Sequence, residues 1–162
     1  MITAPPATIR PATLDDIADL VRLRVLMFVG MDREPHLEVW SKQAVAFLEE
    51  ALTEGTAAAF VADAHVDDGR RVVAGGVGTT CTRLPGPDNP SGRYGYIASM
   101  ATEPEFRRQG LARGIVAALL DWFGARGIDR VDLHASAAGD PIYRTFGFAE
   151  SRYPELRWTR PG

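Results

Sequence analysis

The chain has one cysteine, one lysine and no apolar run long enough to cross a bilayer. Each shortage removes a class of reading. A lone Cys81 makes no intrachain disulfide and no multi-cysteine zinc site, and no metal site is expected. With no basic group recognisable around it, Cys81 reads as a small buried hydrophobe and not as a nucleophile. The opening Met1-Ile2-Thr3-Ala4-Pro5-Pro6 lacks the basic flank and apolar stretch of a secretion signal. A cytoplasmic protein without membrane partners is therefore expected. A net charge of −3 lacks the basic excess of a general nucleic-acid binder, so no nucleic-acid partner is expected. Because Lys42 is the one lysine, nearly all positive charge is arginine; this reads as coding bias, and only local arginine clusters carry information.

What is present is globular. The chain of 162 residues is 46% hydrophobic and 24% charged, which argues against disorder and for one domain over residues 1–162, with 1–7 a flexible tail. Thr8-Ile9-Arg10 reads as a first strand stopped by Pro11. Thr13, with Asp16 three residues on, forms a shortened capping box. Leu14, Ile17, Ala18, Val21, Val25 and Phe28 then follow at helical spacing. After the polar break Asp32-Arg33-Glu34-Pro35-His36, a second helix covers about Val39 to Leu52. Runs from Ala57 to Val66 and Arg71 to Thr82 read as strands joined at Asp67-Asp68-Gly69. A loop from Leu84 to Gly92 leads to a strand from Tyr94 to Thr102. A helix follows with Leu111, Ile115, Ala118, Leu119 and Trp122 on one face. Val131, Leu133 and Ala135 alternate as a strand. Asp140-Pro141 opens a short helix closed by Gly147, and Phe148 and Leu156–Trp158 supply two last strands.

The most informative stretch is Arg107-Arg108-Gln109-Gly110-Leu111-Ala112-Arg113, a glycine turn between a strand and a helix. The first N–H groups of a helix have no intrahelical partner, and the helix dipole adds partial positive charge. Gly110 lets backbone approach a ligand closely, and Arg107, Arg108 and Arg113 suit phosphate oxygens. In residue chemistry this is a pyrophosphate cradle. By contrast, Gly75-Gly76-Val77-Gly78 lies inside a strand pattern and opens no helix, so it reads as a bulge or as close backbone packing.

The element order, with two motifs, resembles the GNAT superfamily of acetyl-CoA-dependent N-acetyltransferases. Arg107, Gly110 and Ala112 meet its Arg/Gln-x-x-Gly-x-Gly/Ala signature. Tyr143-Arg144-Thr145-Phe146-Gly147-Phe148 resembles its Tyr-x-x-x-Gly-Phe segment. The resemblance implies an α/β (α+β) three-layer fold, with a mixed, mostly antiparallel sheet of six to seven strands flanked by about four helices. It also implies acetyl-CoA as co-substrate. The coenzyme would be bound by Met100, Ala101, Thr102, Arg107, Arg108, Gln109, Gly110, Leu111, Ala112, Arg113, Ser136 and Tyr143. The implied chemistry is direct attack of a primary amine on the thioester through a tetrahedral intermediate, with Tyr143 as general acid.

For the base, strand four offers no carboxylate. His134, Glu34 and a water held by Ser99 are the candidates. His134 also reads as packing between sheet and helix, and Glu103 and Glu105 as solvent-facing. Asp32, Glu34, His36 and Glu38 either suit a cationic acceptor or form a solvated loop. The expected partner is a small-molecule amine, with a homodimer possible. The alternatives are an acyl-CoA sensor without turnover, or acetylation of a protein N-terminus or lysine.

Overall fold

A sheet forms where the β-rich runs predict it, and helices cover both faces. The computed structural model describes residues 7–67 and 69–162. Residues 1–6 of the expected tail, and Asp68 of the expected turn, lie outside the described residues. Strands β1 (Thr8–Pro11), β2 (Ala57–Val66), β3 (Gly69–Thr82), β4 (Arg93–Thr102) and β5 (Val131–Leu133) pair in the order β1-β2-β3-β4-β5. The first four are antiparallel to their neighbours, and β5 runs parallel to β4. A parallel neighbour requires a crossover, which contains helix α3 (Leu111–Gly124).

This is the mixed, mostly antiparallel sheet that was expected, with five strands among the described residues instead of six to seven. Phe148 and Leu156–Trp158 form no strand. A strand needs an edge to pair with, and β5 is only three residues long. Pro154 also lacks a donor for any ladder there. Phe148 instead packs against the core, its ring meeting Tyr143 edge-on at 5.9 Å, while Leu156 and Trp158 remain exposed.

Each sheet face carries its own core. Helices α1 (Ile17–Val29) and α2 (Leu37–Glu54) cover one face, where Ile17, Leu20, Leu23 and Leu48 meet Val61 and Val77. On the other face, Leu111, Ile115, Leu119 and Phe123 of α3 meet Ala62, Ala74 and Ile97. Period-two alternation does the sorting: Val61 and its neighbour Ala62 are both fully buried, in opposite layers. Phe123 packs close against the sheet because Gly95 stands beneath it. A Cβ there would lie 2.6 Å from Phe123 Cε1. Gly76 and Gly78 likewise face Ile115 and Phe123, which bears out close backbone packing for that glycine run.

Three buried carboxylates, Asp16, Asp63 and Glu103, fasten the elements. Asp16 accepts from the Thr13 N–H at 2.7 Å and from both terminal nitrogens of Arg10, whose Nε also bonds Asp63 on β2. The Arg10 hydrogen bonds pull the Asp16 carboxyl down to about 2. Glu103, read as solvent-facing, is buried: Arg22 of α1 and Arg71 of β3 each donate to it at 2.6 Å. Cys81, read as buried, is exposed near the end of β3. In both cases burial depends on a distant partner: two arginines converge on Glu103, and no helix covers Cys81.

Candidate active site

The site begins at an irregularity in β4. Gly75 pairs with Ala101 and Val77 with Ala98, so β4 carries one extra residue between these pairs, at Ser99–Met100. Ser99 holds φ +60, the left-handed region that serine adopts only under constraint. β5 pairs with β4 only along Gly95–Ile97, so its side of β4 is open beyond the bulge. The Glu103 N–H donates to Val73 C=O at 2.8 Å. By alternation, Met100 and Thr102 turn their backbone groups toward the open edge, whereas Ala101 pairs inward with Gly75. An extended ligand can add to such an edge as a strand would.

The glycine turn lies directly beyond that edge. A short 3-10 turn at Pro104–Phe106 leads into it, and Gly110, at φ +80, caps α3. Arg108 is also left-handed, at φ +62. The first ladder bond of α3 runs from Gly114 N–H to Gly110 C=O, at 3.0 Å. None of the N–H groups from Arg108 to Arg113 has a backbone acceptor among the described residues. Such a run of free backbone N–H groups can hold an anion such as a pyrophosphate. The arginines divide their tasks. Arg108 is exposed, Arg107 Nε bonds Thr102 C=O at 3.1 Å, and Gln109 reaches back to Glu105 C=O. Arg113 turns away, donating to Thr145 at 2.8 Å and lying over Phe146, and so ties α3 to helix α4 (Asp140–Arg144). Leu111 is buried beneath the turn.

Tyr143 stands on α4, with Ser136 just ahead of that helix. Ser136 accepts from the Gly139 N–H through both its hydroxyl and its carbonyl, so it orders the entry to α4. A Cβ on Gly139 would lie 3.1 Å from the Tyr143 ring and 3.4 Å from Ser136 Oγ, which places these two expected residues side by side. Burial pushes the Tyr143 hydroxyl above its ordinary value, so it keeps its proton at neutral pH. Its hydroxyl bonds no side chain or backbone group among the described residues.

On the α1/α2 face, a cavity of about 780 Å³ reaches Ala98 and Ser99. Its walls come from α1, α2 and β3, with Phe28, Trp40 and Phe47 prominent. Arg24 projects from α1 and donates to Ser99 Oγ at 3.0 Å. Its guanidinium lies 5.0 Å from the Phe28 ring centre and 5.9 Å from that of Trp40. Glu34 and His36 line this cavity; Asp32 and Glu38 do not. His134, read as packed between layers, is exposed, with Nδ1 2.5 Å from Tyr96 Oη and Nε2 3.8 Å from Glu155. Burial raises the Tyr96 hydroxyl, with Glu155 adding to the shift, so it too holds its proton. Among the described residues no group of three or more His, Cys, Asp or Glu is placed to hold a metal ion.

Sequence reasoning passed over Arg24, Tyr96 and Trp40. Arg24 left one trace: it interrupts the i, i+4 stripe Leu20–Arg24–Phe28 on an otherwise apolar helix face. Tyr96 and Trp40 had no comparable signal, since an aromatic in a strand or amphipathic helix reads first as core.

Residues 25–148 match the model of the acetyltransferase (GNAT) family. Among proteins with curated descriptions, none matches the sequence. A predicted acetyltransferase from Clostridium acetobutylicum, solved with acetyl-CoA, is 27% identical at TM-score 0.82, over 93% of this chain and 96% of that one. A GCN5-related N-acetyltransferase from Ralstonia eutropha JMP134 is 24% identical at TM-score 0.80, over 94% and 98%. Glucosamine-6-phosphate N-acetyltransferase from Arabidopsis thaliana is 17% identical at TM-score 0.68, over 95% and 99%. The latter two share the fold. Among the described residues no helix is long and apolar enough to cross a membrane.

Proposed function

The chain belongs to the acetyltransferase (GNAT) family, and from that premise we propose that it transfers acetyl from acetyl-CoA to a primary amine of a small molecule. The carrying observation is the run of unpartnered N–H groups from Arg108 to Arg113, where β4 has lost its β5 neighbour. The relative from Clostridium acetobutylicum, solved with acetyl-CoA, supports the same donor. When bound, the coenzyme supplies an acetyl group activated as a thioester.

In this reading Gln109, Gly110, Leu111, Ala112 and Arg113 hold the pyrophosphate through backbone N–H groups, and the exposed Arg108 adds charge. Arg107 braces the end of β4, and Leu111 seats the turn on the core. Met100 and Thr102 pair along the pantetheine arm, and a strand N–H donates to the thioester oxygen as negative charge develops there. Ala101 supports them by holding β4 against β3. Ser136 and Tyr143 close the far side. The amine gives a proton to the base and adds to the thioester carbon; the tetrahedral intermediate then collapses as the C–S bond breaks and Tyr143 gives its proton to the departing thiolate.

Of the base candidates, His134 has the best support. The Tyr96 hydroxyl links its Nδ1 to the β4 face that carries the cavity, and Glu155 lies 3.8 Å from its Nε2. Ser99 is less suited, because Arg24 already donates to its hydroxyl and a cation beside a water opposes proton uptake. Glu34 stands on an exposed loop.

The test is thiol release from acetyl-CoA over a panel of amines, amino acids and peptides, with wild type and Tyr143→Phe. Turnover on small amines, lowered by roughly 100- to 10,000-fold in the Phe variant, is expected if Tyr143 is the acid. Coenzyme binding with no thiol release on any acceptor would replace this reading with an acyl-CoA sensor.

A further inference from the structure

The cavity on the α1/α2 face has an electrostatic character that the loop sequence did not suggest. Its charged lining consists of Arg24, Arg33, Glu34 and His36. Arg24 and Arg33 lie on the Phe28 ring, each guanidinium 5.0 Å from its centre. Neither arginine joins an ion pair among the described residues. Arg24 is half-buried, and burial opposes its charge strongly enough to lower its pKa. A desolvated cation without a counter-charge is costly, and an anionic ligand group would relieve that cost. Apart from Gln43, Thr79 and Ser99, the remaining wall is apolar and aromatic, with Val39, Trp40 and Phe47 among it. A polycationic amine would meet two guanidiniums and one carboxylate there.

Position narrows the ligand further. Arg24 Nη1 is 3.0 Å from Ser99 Oγ, on the bulge that adjoins the open edge of β4. A carboxylate held by Arg24 therefore sits next to the place where acetyl transfer would occur. In an α-amino acid the amine is one carbon from the carboxyl, which brings that amine to the bulge and turns the side chain into the aromatic cavity.

We propose that the acceptor is an α-amino acid with an apolar or aromatic side chain, its carboxylate bound by Arg24 and its side chain by the Phe28–Trp40–Phe47 wall. This rests on the acetyl-transfer reading for the reaction, but ligand binding in the cavity can be measured without turnover.

The probes are L-phenylalanine, L-phenylalaninamide and phenethylamine, read by quenching of tryptophan fluorescence, since Trp40 lines the cavity, and by thiol release with acetyl-CoA. For wild type, L-phenylalanine is expected to exceed both analogues, neither of which carries a carboxylate, by about 10- to 100-fold in affinity and in kcat/KM, the range for a hydrogen bond to a charged group. Arg24→Gln should raise KM for L-phenylalanine and collapse that ratio toward one, with Arg24→Lys intermediate because it keeps the charge and loses the fork. Equal affinity of wild type for acid and amine, a ratio unchanged in Arg24→Gln, or no saturable quenching by L-phenylalanine at millimolar concentration each overturns the proposal. The wild-type comparison decides the matter even if no variant folds. Thermal stabilisation by acetyl-CoA is followed in parallel. Its absence sinks the acetyl-transfer reading, whereas the quenching ratio still judges the carboxylate anchor.

Discussion

Replacing Glu103 by glutamine tests whether a buried ion cluster holds the glycine turn before α3 in place. Glu103 immediately follows β4 and precedes the turn that leads to Gly110, so its anchoring fixes where that turn starts. Arg22 Nη1 and Arg71 Nη2 each reach it at 2.6 Å, and Arg22 Nη2 also bonds Val72 C=O at 2.6 Å. Removing one partner of a fully buried pair costs about 3–5 kcal/mol. Here the Glu103 side chain is 9% exposed, but the Arg22 and Arg71 side chains are 43% and 46% exposed, so solvent screens both. That discount leaves about 1–3 kcal/mol for Glu103→Gln, which keeps the shape and leaves two like charges facing each other. For a domain of this size that corresponds to a Tm lowered by about 2–12 °C. Differential scanning calorimetry at neutral pH measures it, with Glu105→Gln as the control on the exposed side of the same turn. The control should stay within about 0.5 kcal/mol of wild type. If the two variants melt together, Glu103 does not anchor the loop and the reasoning fails.

Three further outcomes are expected. Gly110→Asp should abolish thermal stabilisation by acetyl-CoA, because a Cβ at φ +80 costs about 1–2 kcal/mol and a carboxylate would face the phosphates; undiminished stabilisation in a shift assay would refute the cradle. Asp16 titrates at about 2 when folded, against 3.8 when unfolded, so its contribution is present above pH 3.8 and is lost as pH falls toward 2. Asp16→Asn should therefore lose about 1–2 kcal/mol at pH 7 and show a shallower acid limb in urea unfolding across that window; an identical limb would count against the Arg10 pairing. Gly95→Ala should destabilise by about 1–3 kcal/mol in the same urea assay, because its methyl group would press on the fully buried Phe123 ring; wild-type stability would show that the ring yields freely.

Legibility followed the distance over which each feature is decided. Helix α3, the turn before it and the capping residues at Thr13 and Asp16 depend on a few neighbouring residues, and they stand where the spacing placed them. Glu103 was misread because its two partners come from α1 and β3, one of them 81 residues away. The last two strands were misread for the opposite reason. Their apolar residues fit a strand locally, but a strand forms only where an edge is offered, and β5 is too short to provide one. Arg113 shows the same effect at the candidate site: its charge suited phosphate, and the packing of α4 claimed it for Thr145.

The sequence by itself determined the proposed donor side of this protein. The glycine at the start of α3 is free to take the left-handed turn seen at Gly110, and the N–H groups after it cannot find partners within their own helix. Those are local consequences of backbone geometry, so residues 107–113 carry them wherever they fold. Only the tertiary structure decided the proposed acceptor side. The bulge at Ser99, the arginine 75 residues away that bonds it, and the Tyr96–His134 contact are made by elements that meet only once both layers have packed on the sheet. A cavity is the space left between packed elements, and no short stretch of sequence contains it.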